Sequence, residues 1–74
     1  MRIEIEARWK DSYSGTTDLV AGGVTLGGTY RVSNIEFWAY VAGRTIGKNF
    51  DSESDAQAAV LTALGARIIK QVSP

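Results

Sequence analysis

The sequence predicts an α+β fold, a small antiparallel β-sheet of three to four strands with one α-helix from the C-terminal half packed on one face. Three observations predict it. Residues 2–10 alternate between charged and apolar, residues 35–41 alternate again before a tight turn, and an apolar stripe with helical spacing begins at Ala56. A period of two is typical of a half-buried strand, and i, i+3, i+4 spacing of an amphipathic helix. The 74 residues suit one domain, residues 1–74.

The first strand is predicted over residues 2–10. Its apolar side is formed by Ile3, Ile5, Ala7 and Trp9, and charged side chains of both signs occupy the other side. Such a strand packs on a core with one face and meets water with the other.

The sequence predicts a glycine-rich loop between strands at about residues 14–29. Two Gly-Gly pairs, at 22–23 and 27–28, bracket a short apolar stretch. Glycine pairs disfavour regular structure, and their spacing matches neither the P-loop nor the dinucleotide fingerprint. The apolar residues of this loop either cover the core or are available to a partner; they are Leu19, Val20, Val24 and Leu26.

The second strand region is predicted over residues 30–41 and the third strand over residues 44–50, joined by the Ala42-Gly43 turn as a hairpin. From residue 35 the alternation assigns two faces. One carries Ile35, Phe37, Ala39 and Val41, and the other carries Glu36, Trp38 and Tyr40.

The helix is predicted to begin after Ser52, which with Asp55 resembles a capping box. Gly65 is the expected stop. The core-facing stripe comprises Ala56, Ala59, Val60, Ala63 and Leu64, and residues 66–72 are expected to form a short last strand or an ordered tail.

Composition removes several function classes. The chain has no cysteine and no histidine, so disulfides and thiolate or imidazole zinc sites are excluded, as are the usual nucleophilic triads. Eight basic residues balance eight acidic ones, which disfavours a protein that works mainly by gripping phosphates. No apolar run approaches the ~20 residues of a membrane helix. We expect a cytoplasmic, non-enzymatic protein with no cofactor or metal.

The candidate functional surface is the outer side of the hairpin, around Trp38 and Tyr40. Exposed aromatics on a sheet stack on bases or anchor protein interfaces. The alternative for Trp38 is packing under the glycine-rich loop. The candidate partner-binding residues are Arg31, Trp38, Tyr40, Arg44 and Lys48. Arg2, Arg8 and Lys10 could extend this patch, but Glu4 and Glu6 interrupt the extension. The acidic residues 51, 53 and 55 are explained by helix capping.

The segment Phe37-Trp38-Ala39-x-Val41, followed by a turn, a short strand and an alanine-rich helix, resembles small proteins by which lytic bacteriophages inhibit host bacterial RNA polymerase. The resemblance covers roughly the C-terminal half. It implies a phage-encoded regulator that binds and inhibits or modifies RNA polymerase in the host cytoplasm. The chain lacks that family's polarised charge, so no inhibitory residue is carried over.

The hairpin-then-helix order is also similar to DNA-binding domains of the integrase arm-binding and AP2 type, which read DNA with the sheet face. That similarity implies a DNA-binding module, with the five candidate residues as its contact surface. A third hypothesis is an inhibitor of another host protein, such as a defence nuclease. A continuous patch of Arg31, Tyr40, Arg44 and Lys48 would favour nucleic acid. Exposed apolar residues at 19–26 would favour a protein partner.

Overall fold

A computed structural model describes residues 5–12, 15–65 and 69–71. The described chain forms a sheet and one helix, and the strand-to-strand turns are short. In chain order the elements are β1 (Ile5–Asp11), β2 (Thr16–Ala21), β3 (Val24–Ser33), β4 (Glu36–Val41), β5 (Arg44–Phe50), α1 (Glu53–Leu64) and β6 (Ile69–Gln71).

The sheet is a five-stranded antiparallel meander with a sixth strand at one edge. Its order is β5-β4-β3-β2-β1-β6, and β6 lies parallel to β1. The predicted α+β class, an antiparallel sheet with one C-terminal helix packed against it, is confirmed. The strand number is higher than the predicted three to four, because residues 16–33 are strands.

The residues predicted to form a glycine-rich loop at about 14–29 form the β2–β3 hairpin instead, so that prediction is wrong. Gly22 and Gly23 have φ of 57° and 82° and make up its two-residue turn. A turn with positive φ at both central positions matches the twist of the flanking strands. Leu19 is fully buried in this hairpin, Val20 and Leu26 are half-buried, and Val24 is exposed. The exposed apolar loop at 19–26 that would favour a protein partner is therefore not formed. Gly27 and Gly28 continue β3.

The single strand region predicted over residues 30–41 is two strands. β3 ends at Ser33, and Asn34 and Ile35 form the turn into β4. Ile35 therefore does not share the core face with the alternating residues that follow it, and 77% of its surface is exposed. The alternation begins at Phe37, which packs against the core together with Val41.

Helix α1 begins and ends where the sequence predicts. The Ser52 hydroxyl accepts a hydrogen bond from the Asp55 amide, and Gly65 ends the helix in the left-handed region with φ of 88°. Ala56 and Val60 are fully buried, and Ala59 and Leu64 pack at the edge of the core. The predicted core-facing stripe is thus confirmed except at Ala63, which is exposed.

The core lies between α1 and one face of the sheet, which we call the inner face. α1 contacts β3, β4 and β5. Leu19, Gly27 and Val41 are cross-strand partners on this face. A Cβ on Gly27 would lie 3.0 Å from the Val60 side chain and 2.6 Å from the Tyr40 carbonyl oxygen, so this glycine lets the helix approach the sheet closely. Of the strand residues predicted on the apolar side of β1, Ala7 is buried and Trp9 is half-buried at the core; Ile3 lies outside the described residues.

Strand β5 forms one edge of the sheet and is interrupted twice by register shifts. Irregular edge strands resist pairing with the edge of another sheet. The β4–β5 turn places Ala42 at φ 52° and Gly43 at φ 77°. A positive φ is costly for alanine, because its Cβ meets the backbone.

Candidate partner-binding surface

Within the residues that the structure describes, no helix covers the face of the sheet opposite α1, which we call the outer face. Cross-strand pairing fixes which side chains share it. One row runs across four strands through Lys10, Asp18, Gly28 and Tyr40. The next row towards the β3–β4 turn runs through Thr16, Tyr30 and Trp38, and Lys48 of β5 lies over it.

Tyr40 is held across the neighbouring strand rather than projecting into solvent. Its hydroxyl donates a hydrogen bond to the Asp18 carboxylate, two strands away. Burial, together with the hydrogen bond to Asp18 and its negative charge, raises the pKa of Tyr40 well above its usual range. The raised pKa therefore favours the protonated, donating phenol at alkaline pH values where an ordinary tyrosine ionises.

Gly28 makes this arrangement possible. It lies between Tyr40 and Asp18 in the row, and a Cβ there would overlap the Tyr40 phenol and lie 2.6 Å from the Thr17 carbonyl oxygen. The absence of a side chain leaves the space that the Tyr40 ring occupies. An aromatic ring covering a glycine in a neighbouring strand is a known way of stabilising a sheet at that position.

Trp38 is half-buried and held on three sides. Its indole N–H donates to the Glu36 carboxylate at 2.8 Å. The Tyr30 ring packs edge-to-face against it with 6.3 Å between centroids. The Lys48 ammonium lies 4.5 Å from the Trp38 ring centroid, within the range of a cation–π contact. Trp38 thus packs among outer-face side chains, and no glycine-rich loop covers it.

The end of the β3–β4 hairpin exposes three apolar side chains within six residues. Tyr30 and Val32 are each 43% exposed and Ile35 is 77% exposed. We call these three residues the hairpin ridge. It adjoins Trp38 through the ring contact with Tyr30. Isolated exposed apolar residues are common on proteins, whereas a group of them beside fixed aromatics indicates an interaction surface.

The five predicted partner-binding residues divide between the two faces. Trp38, Tyr40 and Lys48 lie on the outer face. Arg31 pairs with Phe37 and Arg44 with Val41, and both of these partners belong to the inner face. The continuous patch of Arg31, Tyr40, Arg44 and Lys48 that would favour nucleic acid is therefore not formed.

Arg31 lies at the mouth of a cleft of about 350 Å³ near the start of α1. Asp11, Thr17 and Glu53 also line this cleft, and Thr17 donates a hydrogen bond to Asp11 at 3.2 Å. The Arg31 guanidinium donates to the Asn34 side-chain oxygen. Two carboxylates and one cation line the cleft, which therefore offers no concentrated positive field to an anion.

The other arginine, Arg44, borders a shallow groove of about 420 Å³ beside the last turn of α1. Val41, Ile46 and Ala63 also line it. Ile46 lies at a register shift of β5 and is 40% exposed. Arg44 is therefore separated from the Trp38 side of the sheet by the thickness of the sheet itself.

The hairpin ridge was not among the residues that the sequence predicted to bind a partner. Tyr30 and Val32 were assigned to a strand without a face, and Ile35 to the core face. A sequence signal did exist, because Ser33-Asn34 is a favourable turn pair that would have placed Ile35 in the turn. The Asp18–Tyr40 hydrogen bond joins residues 22 positions apart, so it cannot be predicted from a local sequence pattern.

No protein-family model, curated protein or solved structure matches this chain. Within residues 5–12, 15–65 and 69–71, no group of three or more acidic, cysteine or histidine side chains is placed to hold a metal ion. The described residues include no helix of the length and apolarity needed to span a membrane.

Proposed function

We propose that this protein is a phage-encoded, non-enzymatic regulatory protein that binds host bacterial RNA polymerase in the host cytoplasm and inhibits or modifies it. The observation that carries the proposal is the outer face, which no described helix covers and where Tyr30 of the hairpin ridge contacts Trp38. Tyrosine and tryptophan in fixed positions are the residues that most often dominate binding energy at protein interfaces. The choice of polymerase comes from the resemblance of residues 36–74.

The outer face is suited to binding without rearrangement. Glu36 and Lys48 hold Trp38, and Asp18 holds Tyr40. Side chains that are already ordered lose little conformational entropy when a partner covers them. The ridge residues then provide apolar area whose removal from water favours association. Inhibition would be steric, because a rigid face covers a site that a promoter, a factor or a mobile element of the polymerase needs.

The charge of the outer face also favours a protein over nucleic acid. Arg8, Lys10 and Lys48 are opposed there by three acids, Glu6, Asp18 and Glu36. A surface of mixed charge gives specificity between proteins through complementary pairs, whereas phosphate binding needs an excess of cations.

The test is binding of the purified chain to purified bacterial RNA polymerase, followed by transcription in vitro. Wild type is expected to bind and to change transcript yield. Ile35→Asp, in the ridge, should weaken binding at least tenfold. Ala58→Asp is the matched control, because Ala58 is exposed on α1, on the other side of the sheet. Absence of binding and of any transcriptional effect by the wild type would refute the proposal.

A different host protein, such as a defence nuclease, remains an alternative partner for the same face. The same pair of variants tests it. Suppose that polymerase does not bind, that a purified nuclease does, and that of the two variants only Ile35→Asp weakens the nuclease complex. The outer face would then be the binding surface, and the nuclease would be its partner in place of polymerase.

The DNA-binding alternative keeps one favourable observation, the Lys48 ammonium over Trp38 beside Tyr30. Aromatic rings next to a cation are a common platform for bases. A gel-shift titration across salt concentrations tests it. Affinity that falls steeply with salt would support DNA binding, and the absence of a shift at low salt would remove this alternative.

A further inference from the structure

A groove of about 470 Å³ lies on the outer face between β1 and β2, beside the Gly22-Gly23 turn. Arg8 and Lys10 line one side, and Val20 lies opposite Arg8 on the neighbouring strand. The groove is on the same face as Tyr30 and Trp38, but at the β1 side of the sheet. Its charged lining consists of these two cations and the Glu6 carboxylate at one end.

Both cations of the groove are available to a partner. Arg8 and Lys10 are exposed, and within the described residues neither has a carboxylate within ion-pair distance. Asp18 is the cross-strand neighbour of Lys10, but its carboxylate accepts the Tyr40 hydroxyl instead. Within the described part of the chain, neither cation therefore has an ion-pair partner.

The spacing of these charges indicates what fits. Side chains two residues apart on one face of a strand lie about 7 Å apart. Arg8 and Lys10 have this spacing, and Glu6 lies one step before Arg8. An extended segment with carboxylates at alternate positions has the same repeat, so it can place two carboxylates on the two cations at once. Glu6 would repel a third carboxylate of the segment, which limits the positions at which the segment can bind along the groove.

We infer that the groove between β1 and β2 binds an extended acidic segment of a partner protein, with carboxylates two residues apart on Arg8 and Lys10. The inference deepens the proposed function, because it names the chemistry of the protein that the outer face would bind. An isolated exposed ion pair contributes only about 0.2–1 kcal/mol. Binding thus needs both cations together and the Val20 side of the groove to cover the segment.

The probe is a fluorescent dodecapeptide of alternating threonine and glutamate, (Thr-Glu)6, titrated with the full chain at low ionic strength and followed by anisotropy. Its alternation puts every carboxylate on one face when the peptide is extended. The expected result is saturable binding that weakens as salt rises. The corresponding peptide with lysine in place of glutamate should not bind.

Two double variants separate the groove from overall charge. Arg8→Glu with Lys10→Glu should weaken peptide binding at least tenfold. Arg31→Glu with Arg44→Glu makes the same change in net charge on the inner-face side and should change binding less than twofold. All four arginine and lysine side chains are exposed, and thermal melts check that both variants fold.

Three outcomes would overturn the inference: no binding of (Thr-Glu)6 by the wild type, equal losses in the two double variants, or equal binding of the lysine peptide. Tighter binding of a twelve-residue oligothymidylate than of (Thr-Glu)6 would assign the groove to nucleic acid instead. The titration uses no polymerase, so its failure leaves the polymerase test standing, and failure of that test leaves this one standing.

Discussion

Removing the Tyr40 hydroxyl tests the main interaction that orders the outer face. In Tyr40→Phe the ring still covers Gly28, but the Asp18 carboxylate loses its donor. A hydrogen bond to a charged group contributes about 1.5–3 kcal/mol, and this one is only part-buried, so we expect a loss of about 1–2 kcal/mol. For a domain of this size, each 1 kcal/mol lowers Tm by about 4–8 °C.

The pH dependence gives the same prediction a second readout. The pKa of Tyr40 is raised in the folded state, so above pH 10, its ordinary value, the unfolded chain loses the proton while the folded chain keeps it. The unfolded state then binds fewer protons, and the free energy of unfolding falls as pH rises. The advantage of wild type over Tyr40→Phe is full below about pH 10 and shrinks by at most about 1.4 kcal/mol per pH unit above it.

The assay is urea denaturation of wild type, Tyr40→Phe and Tyr30→Phe at pH 7 and at pH 11. Tyr30→Phe is the matched control, because the Tyr30 hydroxyl has no hydrogen-bond partner among the described residues. Asp18→Asn, alone and combined with Tyr40→Phe, completes a double-mutant cycle. Equal stability of Tyr40→Phe and wild type at pH 7, or an equal loss in Tyr30→Phe, would refute the reasoning.

Three further substitutions probe the sheet and the core by chemical denaturation. Gly28→Ala should destabilise the protein by about 1–3 kcal/mol, since the new Cβ overlaps the Tyr40 ring; a neutral result would contradict the ring position. Val60→Ala should cost about 2 kcal/mol, because Val60 is fully buried beneath the sheet, and a loss below about 0.5 kcal/mol would place it outside the core. Ala42→Gly should stabilise the protein by about 1 kcal/mol by relieving a positive φ of 52°, and a loss of stability would show that the turn has another conformation.

The helix and the apolar periodicity were predictable from local signals. Ser52, Asp55 and Gly65 act through neighbours within one turn, so their roles are visible in the sequence. The alternation at residues 37–41 gave the correct faces for the same reason. Each of these features depends on side-chain chemistry that a window of a few residues contains.

The loop prediction overlooked a local signal for the β2–β3 hairpin, because a Gly-Gly pair between two β-forming segments favours a two-residue hairpin turn. Gly22 and Gly23 form that turn, whereas Gly27 and Gly28 are strand residues that make room for α1 and the Tyr40 ring. The role of the second pair depends on its tertiary neighbours, which a local pattern does not contain.

Assigning Arg31 and Arg44 to a face of the sheet also required the register of the strand pairing. Arg31 pairs with Phe37 and Arg44 pairs with Val41, and both pairs lie in regularly paired stretches of the sheet. Directly opposed residues share a face and successive residues alternate between faces, so nearness in sequence to Trp38 did not imply nearness in space.

The central claim, that the outer face binds the partner, is tested most directly by footprinting with single cysteines. The chain has no cysteine, so one introduced thiol can be followed alone. Ile35→Cys places it on the hairpin ridge, and Ala58→Cys places it on the exposed side of α1. With RNA polymerase bound, we predict that alkylation of Ile35→Cys slows at least tenfold while alkylation of Ala58→Cys is unchanged. Protection of the helix thiol with a fully reactive ridge thiol would contradict the claim.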